Sequence, residues 1–430
     1  MKALAEFFLY FSLVILSCLT AGCTSEVDII GGTPETPENP QANDPNRRSV
    51  VISLQNKLIL VNGTPESRAI TRDGIAEEDE NRIESFDIYA FGSDKEEGPY
   101  TFQEHFAYRS DAGTLPTGAS PIDLKADEAA GKINVVFYPR KGLFTKFYCV
   151  ANQTEMNDAA GNIYTNYTPL QQSSQTQSGV PGDIVTSPGT PTESDFIKLN
   201  TPLLNPTGFN ANILLAPLPM SGANSQPTDL REYSMGTYVR LNVSLTRAVA
   251  RFDIVNDATK SHFTITDISM GNGRQGVTLF PIRPTGDVPA TNGQLITYPY
   301  RLFDGLNANA GTTTKAFYCY PCKAIDAGFL ILKGLYTMNL TDEKKEVSYR
   351  IPFERVTDGN GTRIEINHNH RYTVQITEAD PFELTANIRL VDWETGDYID
   401  DYEPDNGLET IAVADLLPVG ETTYNISTNI

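Results

Sequence analysis

Cys319-Tyr-Pro-Cys322 has the spacing of a redox pair. His368-Asn-His370 has that of two metal ligands on one strand face, since residues two apart in a strand point the same way. Neither comes with the surroundings its chemistry needs. A redox C-x-x-C needs a helix N-terminus behind it to stabilise a thiolate, and here Lys315-Ala-Phe-Tyr and Phe329-Leu-Ile-Leu read as strand. A zinc site wants a second pair at similar spacing, and the sequence has none. The cysteines therefore read as buried strand residues, and the histidines, without a third ligand, as a polar pair at a hairpin edge. No G-x-S-x-G, H-E-x-x-H or phosphate-cradling glycine loop occurs. Carboxylates are numerous, but nothing pins two of them as a glycosidase pair, and the single Trp393 is thin for a sugar-stacking cleft. No enzyme, cofactor or metal is expected.

Arg68 and Arg72 invite a different chemistry, as substrate instead of machinery. They sit among small residues (Ser67, Ala69, Thr71) after the turn signal Asn62-Gly-Thr-Pro65. Exposed arginines in loops are common and by themselves mean little. What precedes them raises their interest. Val50, Ile52, Leu54, Leu58 and Leu60 fall on even positions, with Ser53, Gln55 and Lys57 between them, a period of two that puts an apolar row on one strand face. Such a strand, tethered by an exposed basic loop, can be cut off and replaced. The candidate scissile bonds are Arg68–Ala69 and Arg72–Asp73.

The N-terminus places this chemistry in an exported protein. Lys2 is followed by the apolar run Phe7–Leu19 and then Thr20-Ala-Gly-Cys23. The run is too short for a spanning helix, and small residues directly before a cysteine have the form of a bacterial lipobox. Residues 1–22 are predicted as a lipoprotein signal peptide with Cys23 lipidated; an ordinary signal peptide cut elsewhere is the alternative. Residues 23–48, rich in Pro, Asn and Glu, are predicted to be a flexible tether.

The 430 residues allow two domains, each with a core. The net charge of −21 repels phosphate backbones and argues against nucleic-acid binding. Twenty Tyr, 20 Phe and abundant Gly and Pro lean toward β structure. Arg82–Gly92 alternates, with Ser85 and Asp87 suggesting one solvated face, and follows the acidic loop Glu77–Glu80. Lys132–Tyr138 and Thr145–Asn152 flank a turn at Pro139–Gly142 and read as a hairpin. Tyr164–Pro206 reads as a surface excursion, and Ser221–Thr228 as a linker that sets a domain boundary. Tyr238–Asn256 is the clearest strand pattern, slipping near Arg247-Ala248 as a bulge or bend would. Further strands are predicted at Phe263–Met270, Lys315–Tyr320, Gly328–Tyr336, Lys345–Ile351, Arg371–Thr377 and Leu384–Trp393, with Leu408–Leu417 as a short helical candidate. Short strands between Gly, Pro and Asn turns predict an all-β sandwich architecture. The expected domains are residues 49–225 and 226–430.

Motifs spread along the chain resemble the fimbrillin superfamily of Bacteroidia, the lipoprotein precursors of type V pili. They are the lipobox ending at Cys23, Arg68-Ala69 before Ile83–Phe91, Phe147–Asn152, and Pro219-Met-Ser-Gly222. Later come Leu245-Thr-Arg-Ala-Val-Ala250 with Arg-Phe-Asp-Ile after it, Asn367–Val374, and Ile388-Arg-Leu-Val-Asp-Trp393. Each alone is weak; their order is the signal. The resemblance implies two transthyretin-like β-sandwich domains with a cleavable N-terminal strand, export as an outer-membrane lipoprotein, and cutting by an Arg-specific protease. Removing about Val50–Val61 would then open a groove, filled by a strand from the next subunit of a fimbria that supports adhesion. The implied donor is the tail 397–430, with apolar Ile411, Val413, Leu417, Val419, Tyr424 and Ile426. Its partners would be other fimbrial subunits, alike or different. Two competing readings are a surface carbohydrate-binding lipoprotein, which would bind glycans as the uncut monomer, and a secreted hydrolase.

Overall fold

Period-two apolar patterning dominates the chain, and strands dominate the result. The computed structural model describes residues 40–54, 59–60, 76–111, 114–127, 132–158, 162–165, 192–207, 212–231, 238–280, 294–303, 310–339, 343–357, 360–392 and 409–411. Those from Gln41 onward belong to one compact unit. The first strands are β1 (Val50–Leu54), β2 (Ile59–Leu60), β3 (Arg82–Ile83), β4 (Ser85–Ser93), β5 (Thr101–Arg109), β6 (Ala119–Pro121), β7 (Asp123–Asp127) and β8 (Lys132–Phe137). Then come β9 (Phe144–Ala151), β10 (Glu155–Asn157), β11 (Ile163–Thr165), β12 (Met220–Asp229), β13 (Val239–Val243) and β14 (Thr246–Arg247). A four-stranded sheet, β13-β1-β8-β7, and a six-stranded sheet, β14-β12-β9-β4-β5-β6, form the first sandwich. Alternate residues of both meet in one core: Val50, Ile52, Leu54, Ile133 and Val135 from one sheet, Phe86, Ile88, Phe106, Phe147 and Cys149 from the other.

The second half continues with β15 (Ala250–Asp257), β16 (Phe263–Gly271), β17 (Gly273–Arg274), β18 (Leu295–Ile296), β19 (Arg301–Leu302), β20 (Ala310–Cys319) and β21 (Phe329–Tyr336). After these lie β22 (Lys345–Pro352), β23 (Glu354–Thr357), β24 (Asn360–Arg363), β25 (His370–Ala379), β26 (Leu384–Asp392) and β27 (Glu409–Ile411). A five-stranded sheet, β20-β15-β25-β26-β27, faces a four-stranded sheet, β19-β16-β21-β22. Phe252, Ile254, Phe317, Tyr372 and Val374 pack there against Ile265, Met270, Leu332 and Tyr349. The protein is all-β, as its composition and turn spacing predicted.

Several local expectations change. Ser221–Thr228 is no linker: it lies in β12, paired with β9, with a register shift between Asn224 and Thr228. The short β14 pairs only with Met220 and Ser221, so the rest of β12 is a sheet edge that tolerates Pro227 at an irregularity. Gly222 is required where β12 crosses the corner after β13, because a Cβ there would stand 2.3 Å from the Ser244 carbonyl. The boundary expected near residue 225 therefore falls inside a strand. The slip at Arg247-Ala248 marks the real passage, since β14 belongs to the first sandwich's sheet and β15 to the second's. Likewise β8 and β9 are not a hairpin; the turn at Pro139–Gly142 carries the chain from one sheet to the other.

The face of β4 expected to be solvated is covered. Every residue of β4 is buried, because Tyr89, Phe91 and Tyr148 lie under Phe196, Leu199 and Leu279. Phe196 closes the one-turn helix α1 (Glu193–Phe196), capped by the Thr192 side chain. This part of the expected surface excursion thus forms a lid of core residues, contributed partly by Leu279 from the second half of the chain. The tether is shorter than expected as well. Arg47 Nη1 donates to Glu104 Oε1 at 2.8 Å and to the Tyr138 carbonyl at 2.6 Å, and the Arg48 amide donates to the Pro139 carbonyl. Residues 409–411 of the expected late helix form strand β27 instead.

Candidate strand-exchange site

β1 is an interior strand. It runs parallel to β13, with Val50, Ile52 and Leu54 opposite Val239, Leu241 and Val243. On its other side it runs antiparallel to β8, with the same three residues opposite Phe137, Val135 and Ile133. Val50, Ile52 and Leu54 are each fully buried. Ser53 points to the other face and donates a hydrogen bond to Asn134 Oδ1 at 2.7 Å. Burying the three apolar side chains contributes roughly 5–9 kcal/mol. Taking the strand away would strip hydrogen-bond partners from both β8 and β13 and uncover the core between the sheets.

Of the remaining residues proposed for the exchanged strand, Leu58 lies outside the described residues. Leu60 lies in β2, whose backbone pairs in parallel with β3. Arg68, Ala69, Arg72 and Asp73 all lie outside the described residues, as does Cys23. Of the candidate donor positions, Ile411 is placed, at the end of β27 opposite Ala386 of β26. Val413, Leu417, Val419, Tyr424 and Ile426 lie outside the described residues, and so does Trp393.

Immediately after the arginine-bearing segment, the chain is held by a network that the sequence reading missed. From the sequence, Glu77–Glu80 reads only as an acidic loop bounding the next strand. In the structure Glu80 is fully buried. Its Oε2 accepts from Arg251 Nη1 at 2.7 Å, and its Oε1 accepts from the Tyr318 hydroxyl at 2.6 Å. Arg251 also donates through Nε to Asp253 Oδ1 at 2.7 Å. Arg247 donates to the Asn81 side chain. Lys315 Nζ lies 2.8 Å from Glu77 and 2.9 Å from Asp79. Burial opposes the Arg251 charge, but Asp253 and Glu80 outweigh it and hold the guanidinium above its ordinary value. Burial also opposes the Glu77 charge, but hydrogen bonds from Lys315 and Thr314 outweigh it and draw the carboxyl below 4.5. The signal was present in Arg251, a cation on a strand otherwise fit for a core, which demanded a buried acidic partner.

β3 is fastened from the other side by Asn152, which holds a positive φ of 57°. Its Nδ2 donates to the Arg82 and Leu218 carbonyls at 2.8 and 3.0 Å, while its Oδ1 accepts from the Glu84 amide at 2.9 Å.

The groups with chemical spacing are placed as follows. Cys319 and Cys322 are buried free thiols; burial pushes Cys322 up to about 12, far from a reactive thiolate. His370 Nδ1 meets the His368 carbonyl at 2.7 Å. A second missed cluster, Asp87 with His105 at 2.7 Å and Arg109 at 2.9 Å, lies under the aromatic lid, where His105 stacks on Tyr89. Among the described residues, no group of three or more His, Cys, Asp or Glu is placed to hold a metal ion, and no helix is long and apolar enough to cross a membrane.

No family model and no curated protein sequence matches the chain. Some solved structures are similar to it over most of its length. One is the tip fimbrial protein Mfa3 from Porphyromonas gingivalis, with a C-terminal truncation, at 14% identity and TM-score 0.45, covering 81% of this chain and 100% of that one. Another is a fimbrial assembly protein from Parabacteroides distasonis, at 13% identity and TM-score 0.42, covering 85% and 98%. The fimbrial anchor protein Mfa2 from P. gingivalis is similar at 10% identity and TM-score 0.30, covering 82% and 100%.

Proposed function

We propose that this chain is a structural pilin subunit of a cell-surface fimbria, made as a lipoprotein precursor and assembled by strand exchange. Cys23 takes the lipid and holds the precursor at the outer membrane. An Arg-specific protease cuts after Arg68 or Arg72, β1 departs with everything upstream, and the vacated groove takes a strand from a neighbouring subunit. The sandwiches act as two domains meeting between Arg247 and Ala250. The observation that carries this reading is the position of β1. A strand with three fully buried side chains occupies the middle of a sheet, yet is tied to the rest of the fold through a segment carrying two arginines among small residues.

The C-terminal tail is the donor in this reading. The described part of it, β27, is a three-residue edge strand on β26, and so short an edge strand peels at low cost. An extended apolar peptide added beside β8 and β13 regains main-chain hydrogen bonds and refills the core, a recurring mode of recognition. That gain can overcome the repulsion between acidic subunits cut from a precursor whose net charge is −21.

Incubating the precursor with an Arg-specific protease tests the reading. The wild type is expected to lose its first 68 or 72 residues and form SDS-resistant ladders, and Arg68→Ala with Arg72→Ala to do neither. A double variant that still assembles would refute it.

A further inference from the structure

Arg82 presents a problem for any Arg-specific cut upstream of it. Only ten residues beyond Arg72, its side chain is 42% exposed, so its guanidinium is within a protease's reach. Cutting at Arg82–Ile83 would remove the segment that leads into β4. Part of what now restrains Arg82 is its pairing with β2, and β2 leaves with β1.

We infer that the Glu77–Asn81 segment is a clasp that sets the mature N-terminus, keeping Arg82 out of reach after the upstream strand has gone. The inference rests on the processing proposed above and extends it to the choice of site. A protease needs its substrate extended in a cleft on both sides of the scissile bond, which in a folded chain requires local opening. Here the upstream side and the bond itself are fixed by groups that remain after the cut. Upstream, Glu80 is buried against Arg251 and Tyr318 and Asn81 is held by Arg247, while Lys315 clamps Glu77 and Asp79. Downstream, Ile83 is fully buried in a core that β1 supplies in part and that Phe86, Met220 and Leu245, outside β1, also share. At the bond itself the Arg82 carbonyl is held by Asn152. The anchors on Arg247, Arg251, Lys315 and Tyr318 all lie outside β1 and β2, so excision leaves them in place. An acidic run ahead of an arginine thus acts as a stop, made of the charge complementary to the cations it docks on.

The test reads N-terminal sequence and amide exchange on the full precursor treated with an Arg-specific protease. In the wild type, the new N-terminus is expected at Ala69 or Asp73, with the amides of residues 79–83 still protected after β1 is lost. The Glu77→Gln, Asp79→Asn, Glu80→Gln variant should be cut after Arg82 on the order of tenfold faster, since cutting follows the population of the open state. Adding Arg82→Lys to it should restore the wild-type terminus. A wild-type terminus at Ile83, or loss of protection over 79–83 on excision, would overturn the clasp. So would a clasp variant as resistant at Arg82 as the wild type. A variant that unfolds would be cut at many arginines and not be rescued by Arg82→Lys, and the wild-type exchange result then decides. Absence of any cut at Arg68 and Arg72 counts against the processing reading instead, and resistance of Arg82 in the clasp variant would still refute the clasp.

Discussion

Ile52 is the residue on which precursor and polymer should differ most. It is fully buried between Val135 and Leu241, so Ile52→Ala should cost about 2–5 kcal/mol. Denaturant unfolding of the uncut precursor is expected to show this loss. The cleaved, assembled protein should show none, because the residue has left; equal losses in both would contradict the account. Glu77 gives a prediction in pH. Its carboxyl is drawn below 4.5 where it faces Lys315, with Arg251 and Asp79 beside it. A depressed carboxyl contributes stability that is fully present above its unfolded value and lost as pH falls through the folded one. The difference in Tm between wild type and Glu77→Gln should therefore hold steady above about pH 6 and close as pH drops below 4.5. At this scale the sequence was legible where a residue type has one role. Val50, Ile52 and Leu54 were assigned to a core face by spacing alone. Glu80 was not, because a buried carboxylate is recognised only once its partner, Arg251, 171 positions on in sequence, is placed beside it.

Among the elements, strands were read better than their pairings. β16, β21, β22, β25 and β26 lie close to where alternation put them, since a half-buried strand writes its own pattern. Partners are not written locally. β8 and β9 looked like a hairpin because a turn joins them, yet they lie in different sheets. β12 looked like a linker because most of it forms an edge, where Ser, Asn, Gln and Pro are tolerated. The lid over β4 was invisible for a similar reason, being built from Phe196 and Leu279, far apart in sequence. In the proposed assembly the element that matters most is the tail. Deleting residues 409–430 should leave cleavage and the thermal stability of the precursor within about 1 kcal/mol, because β27 adds only a short edge. Ladder formation should fall to the background of the uncut protein. Ladders of unchanged length from the truncated chain would assign the donor strand elsewhere.

For the whole molecule, two sandwiches joined through Arg247–Ala250 are also bridged by the clasp and by the 199–204 segment, whose backbone pairs with residues 275–279. Those bridges lie outside β1, so excision should open one sheet and leave the joint intact. In the proposed function β1 is a placeholder for a strand supplied by another subunit. The most direct measurement is competition: the precursor is cut, the freed segment removed, and the cleaved subunit incubated with and without a synthetic peptide spanning residues 49–61. Ladders are expected without the peptide, and stoichiometric peptide should stop them while restoring the amide protection of β8 and β13. A cleaved subunit that stays monomeric with β8 and β13 protected, or ladders indifferent to the peptide, would contradict the account.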